Sequence, residues 1–374
     1  MKVTIIGPAY PLRGGIAHHV YYLKRELTQR GHSVQVVSFR KLYPKLLFPG
    51  STEFDTSAAK LDAGAIPIIS SLSPLTWARA VKTVKAFSPD VILFQWWHSF
   101  FAPVIGTLAR FLGRTGSSLV LECHNVFPHE RSPFDVALLK FASRPIDGFI
   151  THSTKDRDDL RPFVNGKQIS VCPLPTPTDF AEESDNDRSG RTILFFGTVR
   201  KYKGLEILLN ALPKVLAQTP CQLIVAGEFY EPVEKYLDLI RANDLERSVT
   251  IHNRYIPNEE IAEIFELADV LVLPYLNATQ SAVARIALSR GLPVIASNTG
   301  GLSETVIEND NGLLFTAGDA DELAQQILKY FESGLGPVFT RNIRASGGLR
   351  SSSEIVEVLE QAATNGLRGA RNGE

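Results

Sequence analysis

Short β-branched runs alternate with longer amphipathic segments along nearly the whole chain, and parallel sheets with helices on both faces satisfy that pattern. The expected class is α/β. Strands are predicted at Val3–Gly7, Ser33–Phe39, Ile66–Ser70, Asp90–Gln95, Ser118–Cys123, Gly148–His152 and Ile169–Cys172. They resume at Thr192–Phe196, Gln222–Ala226, Val249–His252, Asp269–Leu273 and Pro293–Ser297. Helices are predicted at Ile16–Arg30, from Pro74 towards Pro89, from near Lys203, Pro232, Pro257 and Thr279, and at Asp319–Glu332 and Ser353–Ala363. A chain of 374 residues exceeds what one core usually organises, so two domains are expected. Residues 176–190, proline-rich and then acidic and polar, read as a linker between a domain at 1–175 and a second at 191–345. Residues 346–374 read as a C-terminal helix and frayed tail.

Composition excludes several classes. Lys+Arg 39 against Asp+Glu 40 gives a net charge of -1, so the chain is not built to neutralise a nucleic-acid backbone. No apolar run reaches the roughly 18 residues of a spanning helix. Cys123, Cys172 and Cys221 form no C-x-x-C pair, which points to a reducing compartment. The N-terminus enters a strand without an apolar leader, and a cytoplasmic location is the expectation.

In doubly wound sheets, ligands gather where strands end, so the turns after strands carry the candidate chemistry. In the first of these, Arg13-Gly14-Gly15 precedes a helix and frees its first N–H groups for an anion, with His18 and His19 close behind. The turn matches neither G-x-G-x-x-G nor the Walker loop, which argues against dinucleotide oxidoreductases and P-loop enzymes. The second domain opens with Gly197-Thr198-Val199-Arg200-Lys201-Tyr202-Lys203-Gly204, three cations where a diphosphate would sit. A later strand runs into Asn277-Ala278-Thr279-Gln280-Ser281-Ala282, a small polar loop at a helix start, and another into Gly300-Gly301-Leu302-Ser303-Glu304. For each of these the plainer alternative is an ordinary strand–helix turn or a solvated surface charge.

Taken in order, these pieces resemble the family-4 retaining glycosyltransferases of the two-domain GT-B fold. More narrowly, G-P-A-Y-P-x-R-G-G-I-A-H, H-N-V-x-P-H-E, V-R-x-Y-K-G, G-E-F-Y and A-T-Q-S resemble a bacterial subgroup. The resemblance implies two Rossmann-like domains facing a central cleft, with a nucleoside-diphosphate-sugar, UDP or GDP, as donor substrate and no cofactor. It implies that Gly14, Gly15 and Gly197 approach the donor, that Arg200 and Lys203 neutralise the departing diphosphate, and that His124 touches the transferred sugar. Thr279, Gln280, Ser281, Ala282 and Glu304 complete the donor contacts. Arg13, His18, Trp97, His129 and Glu130 are the acceptor-side candidates. Two glutamates usual in the family are replaced by Ala278 and Ile286, which keeps a catalytically impaired nucleotide-sugar- or glycan-binding relative open as the alternative.

Asp185-Asn186-Asp187 matches a D-x-D metal motif but lies in the polar linker, so metal independence is expected. Residues 23–49 hold six cations and one acid and end in Leu46-Leu47-Phe48-Pro49, a composition suited to peripheral contact with a membrane carrying a lipid-linked acceptor. A solvated loop is the alternative. The overall expectation is a cytoplasmic hexosyltransferase in surface polysaccharide synthesis, with a glycan or lipid-linked acceptor and no nucleic-acid partner.

Overall fold

The computed structural model describes residues 1–43, 50, 52–128, 131–175, 186–346 and 353–371. The chain forms two compact units, one of Met1–Asp55, Lys60–Leu174 and Ser351–Glu374, the other of Thr56–Ala59 and Pro175–Arg350.

The first unit runs β1 (Lys2–Ile6), α1 (Gly15–Gln29), β2 (Ser33–Lys41), β3 (Ile66–Ser70), α2 (Pro74–Phe87), β4 (Val91–Trp96), α3 (Ala102–Leu112), β5 (Ser118–Cys123), α4 (Asp135–Ser143), β6 (Gly148–Thr151), α5 (Thr154–Leu160) and β7 (Gln168–Val171). Its strands form a parallel sheet in the order β3-β2-β1-β4-β5-β6-β7. The chain reverses its direction of travel between β1 and β4, which makes their carboxyl ends the switch point where such sheets take ligands. Every residue of β4 and β5 is buried, as expected for central strands covered on both faces.

The second unit runs β8 (Thr192–Phe196), α6 (Leu205–Leu216), β9 (Gln222–Ala226), α7 (Glu234–Ala242), β10 (Val249–His252), α8 (Asn258–Glu266), β11 (Val270–Leu273), α9 (Ala282–Ser289), β12 (Val294–Ser297), α10 (Leu302–Thr305), β13 (Gly312–Phe315), α11 (Ala320–Glu332) and α12 (Leu335–Ala345). Its parallel sheet is ordered β10-β9-β8-β11-β12-β13, with the switch between β8 and β11. The sequence reading did not anticipate β13 or α12. Gly336 and Pro337 look like helix breakers, yet both lie in the first turn of α12, where backbone N–H groups have no intrahelical partner to lose.

Residues 186–190, read above as linker, belong instead to the second unit. Arg188 is almost fully buried, and its Nη1 donates to the carbonyls of Phe265 (3.1 Å) and Ala268 (2.6 Å) at the end of α8. Asn186 Oδ1 accepts from the Arg188 N–H, so the central residue of the D-x-D look-alike holds the turn that presents this arginine. Asp185 lies outside the described residues. Ser57 Oγ accepts from Asn258 N at 3.0 Å, fastening Thr56–Ala59 to the start of α8 in the same unit.

The last helix, α13 (Ser353–Arg371), returns to the first unit and extends further than the Ser353–Ala363 predicted. Ile355, Val356 and Leu359 are fully buried among Val3, Ile5, Val91 and Leu93, and Ser118 Oγ donates to the Ala362 carbonyl at 2.8 Å. The predicted C-terminal helix is a core element of the first sheet, and it continues into the segment read as a frayed tail.

Candidate functional site

In the second unit the predicted donor residues converge at the carboxyl ends of β8, β11 and β12. Gly197 follows β8 with φ +102°, and a Cβ there would stand 3.1 Å from Lys203 Nζ and 3.7 Å from Val283 in the first turn of α9. The next turn is equally tight: Gly204 has φ +68°, and a Cβ on it would lie 1.9 Å from the Pro274 carbonyl oxygen. Lys203 is thereby tucked under the glycine turn, 9% exposed, with its Nζ 5.3 Å from the Tyr275 ring centroid. Burial lowers its pKa from the ordinary lysine value, Tyr202 opposes that shift and Arg200 adds to it; among the described residues no carboxylate contributes. A cation held without an acid partner is expensive unless an anion arrives.

Arg200 is exposed, its guanidinium 4.6 Å from the Tyr230 ring centroid. Ser281, assigned above to the donor, uses its Oγ to cap α9 by accepting from Ala284 N at 3.2 Å. The Thr279 carbonyl accepts from Gly301 N at 2.8 Å, and a Cβ on Gly301 would sit 2.2 Å from Gln280 Nε2, so the two polar turns pack against each other. Ala282 opens α9, and Glu304 lies exposed in the short α10. Ala278 and Ile286, where the family resemblance would put glutamates, are 3% and 7% exposed within an apolar cluster.

In the first unit, Gly14 has φ +118° and caps α1, and a Cβ on Gly14 or Gly15 would meet nothing within 4 Å. Open space and free helix-start amides face outward together there. His18 N donates to the Gly14 carbonyl. Burial lowers the His18 pKa, and Asp55 partly offsets this. Arg13 N donates to Glu53 O at 3.0 Å, holding the loop against residues 53–55. Trp97 packs in an aromatic group, its ring 4.2 Å from Phe101 and its Nε1 donating to Tyr43 Oη at 3.3 Å. His129 and Glu130 lie outside the described residues, as do Lys45 and Leu46 to Pro49 of the basic segment.

His124 follows β5 directly and stands in a cluster that the sequence reading missed. The β4–β5 register sets Gln95 opposite Glu122. Gln95 Nε2 donates to Glu122 Oε2 at 2.7 Å, and Gln95 Oε1 is 2.5 Å from His124 Nε2. The other carboxylate oxygen, Glu122 Oε1, is 2.8 Å from His19 Nε2 and 3.5 Å from His152 Nε2. Burial alone would raise the Glu122 pKa, but His19, with help from His152 and His124, carries it well below the usual carboxylate range. Burial, aided by His152 and His19 against Glu122, pushes His124 well below the ordinary imidazole value. A polar side chain inside a wholly buried strand is itself a sequence signal, and Gln95 and Glu122 each stand in one among apolar neighbours.

Among the described residues, His19, Glu122 and His124 are the set with metal-ligand composition, their ligand atoms within 4.8 Å of one another. The 2.8 Å approach of His19 to Glu122 is a hydrogen-bond distance. Zinc bonds of about 2.0–2.2 Å in a tetrahedron keep ligand atoms roughly 3.3 Å apart, wider than this contact. A cavity of ≈ 450 Å³ lined by Ser117, Asp147, Gln168 and Gln361 sits at the amino ends of β5–β7, away from all these residues.

Comparison with known proteins bears on both halves. Residues 13–180 match the family described as Glycosyltransferase Family 4, and residues 190–333 the one described as Glycosyl transferases group 1. An uncharacterised glycosyltransferase of Methanocaldococcus jannaschii is 28% identical over 87% of each chain. The MMP alpha-(1->4)-mannosyltransferase of Mycolicibacterium hassiacum is 25% identical over 94% of this chain and 93% of its own. Among solved structures, Anabaena HepE in complex with UDP superposes with a TM-score of 0.74 at 20% identity, covering 98% of this chain and 99% of that one; it has also been solved with UDP-glucose. That likeness establishes the fold. Each half of the chain thus matches a glycosyltransferase family model, and its two-unit α/β architecture is that of solved GT-B glycosyltransferase structures.

Proposed function

We propose that the protein is a retaining, metal-independent glycosyltransferase that moves a hexose-type sugar from a UDP- or GDP-sugar to a glycan or lipid-linked acceptor. The observation that carries this reading is Lys203, a buried cation with no carboxylate partner among the described residues, beneath the Gly197 turn at the β8/β11 switch. As the anomeric carbon–oxygen bond breaks, its electron pair passes to the diphosphate. Lys203, Arg200 and the helix-start amides of α9 meet that growing charge, a contribution on the order of 3 kcal/mol per preorganised donor. The acceptor hydroxyl attacks from the face the diphosphate leaves, and its proton passes to a departing phosphate oxygen. His124 is the first unit's contact to the transferred sugar, and Gly14 and Gly15 are its donor-side amides. The binding of UDP and UDP-glucose by the similarly folded HepE agrees with this donor class.

No helix among the described residues is long and apolar enough to cross a membrane. A cytoplasmic enzyme touching the inner membrane face in surface polysaccharide synthesis suits exposed Phe111, Phe134 and Phe141, with Arg110 seated 3.8 Å over the Phe141 ring. Sedimentation with anionic vesicles tests this contact, and failure to co-sediment would remove it.

The second reading, binding without transfer, is favoured by the buried, apolar Ala278 and Ile286. Incubation with a panel of nucleotide-sugars, with and without chelator, separates the two. Release of nucleoside diphosphate insensitive to chelator supports transfer; tight binding without release supports the second; neither binding nor release defeats both.

A further inference from the structure

The cluster around Glu122 has no assigned role, yet its hydrogen bonds form a chain with only one consistent direction. An ionised carboxylate accepts and never donates, so Glu122 Oε2 compels Gln95 to present its NH2 group at 2.7 Å. The amide oxygen of Gln95 then faces His124 Nε2 at 2.5 Å, and an amide oxygen likewise only accepts. His124 Nε2 must therefore carry the proton, and in the neutral ring Nδ1 keeps a bare lone pair. The far side is oriented too: His152 Nδ1, 2.9 Å from the Cys172 carbonyl oxygen, has to donate there.

The backbone makes room for this chain. Gly7 directly follows β1, and a Cβ on it would lie 2.4 Å from Gln95 Cγ and 2.8 Å from Gln95 Cβ, inside contact distance. The Gly7 position thus accommodates the Gln95 side chain that connects Glu122 to His124. Burial of Glu122, Gln95 and His152 shields the network from water, so competing hydration does not loosen it.

We propose that Glu122 and Gln95 are positioning residues that fix His124 as the Nε2–H tautomer, so that Nδ1 meets the transferred sugar as an acceptor for a sugar hydroxyl proton. The sugar contact rests on the transferase reading above; the tautomer does not. It follows that His124 serves as a neutral acceptor and supplies no positive charge to the departing diphosphate.

The test reads the proton directly. Long-range nitrogen–proton NMR of the full chain with labelled histidine, without ligand at pH 7, should show His124 as one neutral tautomer protonated on Nε2, its resonances assigned by their loss in His124→Gln. Glu122→Gln frees the Gln95 amide to turn over, and Gln95→Met removes the acceptor, so each should yield a mixture of tautomers. A proton on Nδ1 or an imidazolium in the wild type overturns the proposal, as does an unchanged single tautomer in both variants. Should Glu122→Gln fail to fold, the near-isosteric Gln95→Met and the wild-type spectrum still decide. One equivalent of zinc retained by the purified protein would also overturn it. With a donor that is turned over, Gln95→Met should lower kcat on the order of 10²-fold, the scale of a misoriented catalytic group, while UDP affinity stays within about twofold. Equal losses in both would mark a merely structural role. If no nucleotide-sugar reacts, the transferase reading fails while the spectra still judge the tautomer.

Discussion

Lys203 occupies the space that a side chain on Gly197 would need, its Nζ 3.1 Å from where that Cβ would stand. A cation so enclosed costs stability in the empty protein and returns it when an anion binds. Lys203→Met should therefore raise the unfolding midpoint of the ligand-free protein by about 2–4 °C, roughly 1 kcal/mol for a domain of this size. The same change should weaken UDP or GDP binding about 10- to 150-fold, from loss of about 1.5–3 kcal/mol in charged hydrogen bonds. Differential scanning and titration calorimetry measure the two effects, and unchanged affinity would discard Lys203 as a phosphate ligand.

Arg200 is a cation of another kind, exposed and lying 4.6 Å from the Tyr230 ring centroid. Arg200→Ala should cost less than about 1 kcal/mol of stability, the range for an exposed cation–ring contact. UDP affinity should nonetheless fall about 10-fold, one charged hydrogen bond. Binding that survives intact would leave Lys203 and the backbone amides as the diphosphate's only grip.

Gly7→Ala places a methyl group 2.4 Å from Gln95 Cγ. Overpacking of this sort costs about 1–3 kcal/mol, and urea unfolding should show it. If the variant matches wild-type stability, the fit of Gln95 against the first loop is looser than the structure indicates.

Acid should destabilise the protein in two stages. The folded pKa of His124 lies below its unfolded value of about 6.5, so on acidification the unfolded chain takes up that proton first. Its contribution to stability is complete above about pH 6.5 and declines below, at up to about 1.4 kcal/mol per pH unit until the folded pKa is reached. Glu122, also depressed on folding, adds a further loss below its unfolded value of about 4.3. Urea midpoints at pH 7, 6 and 5 should fall in the wild type and fall less in His124→Gln; parallel slopes would contradict the neutral ring.

The alternation of strand and helix was legible because parallel strands covered on both faces must be apolar, as Val91–Phe94 and Leu119–Leu121 are. The glycine turns at Gly14 and Gly197 could be read for a similar local reason, since each lies directly between a strand and a helix. Other features depend on partners far along the chain. Gln95 and Glu122 meet only through the register of two strands. Arg188, in a polar stretch that reads as linker, finds its carbonyl at Phe265, 77 residues on. The apolar stripe of α13 was visible, but nothing local says which sheet it covers.

That last helix alters how the protein can be made and divided. With Ile355, Val356 and Leu359 supplying part of the first unit's interior, the second unit is spliced into the first as an insertion. During synthesis the first fold cannot close its core until the ribosome has passed residue 359, after the whole of the other half has been made. A fragment cut at residue 175 would expose a greasy groove, and adding Ser353–Ala363 as a separate peptide should restore its solubility.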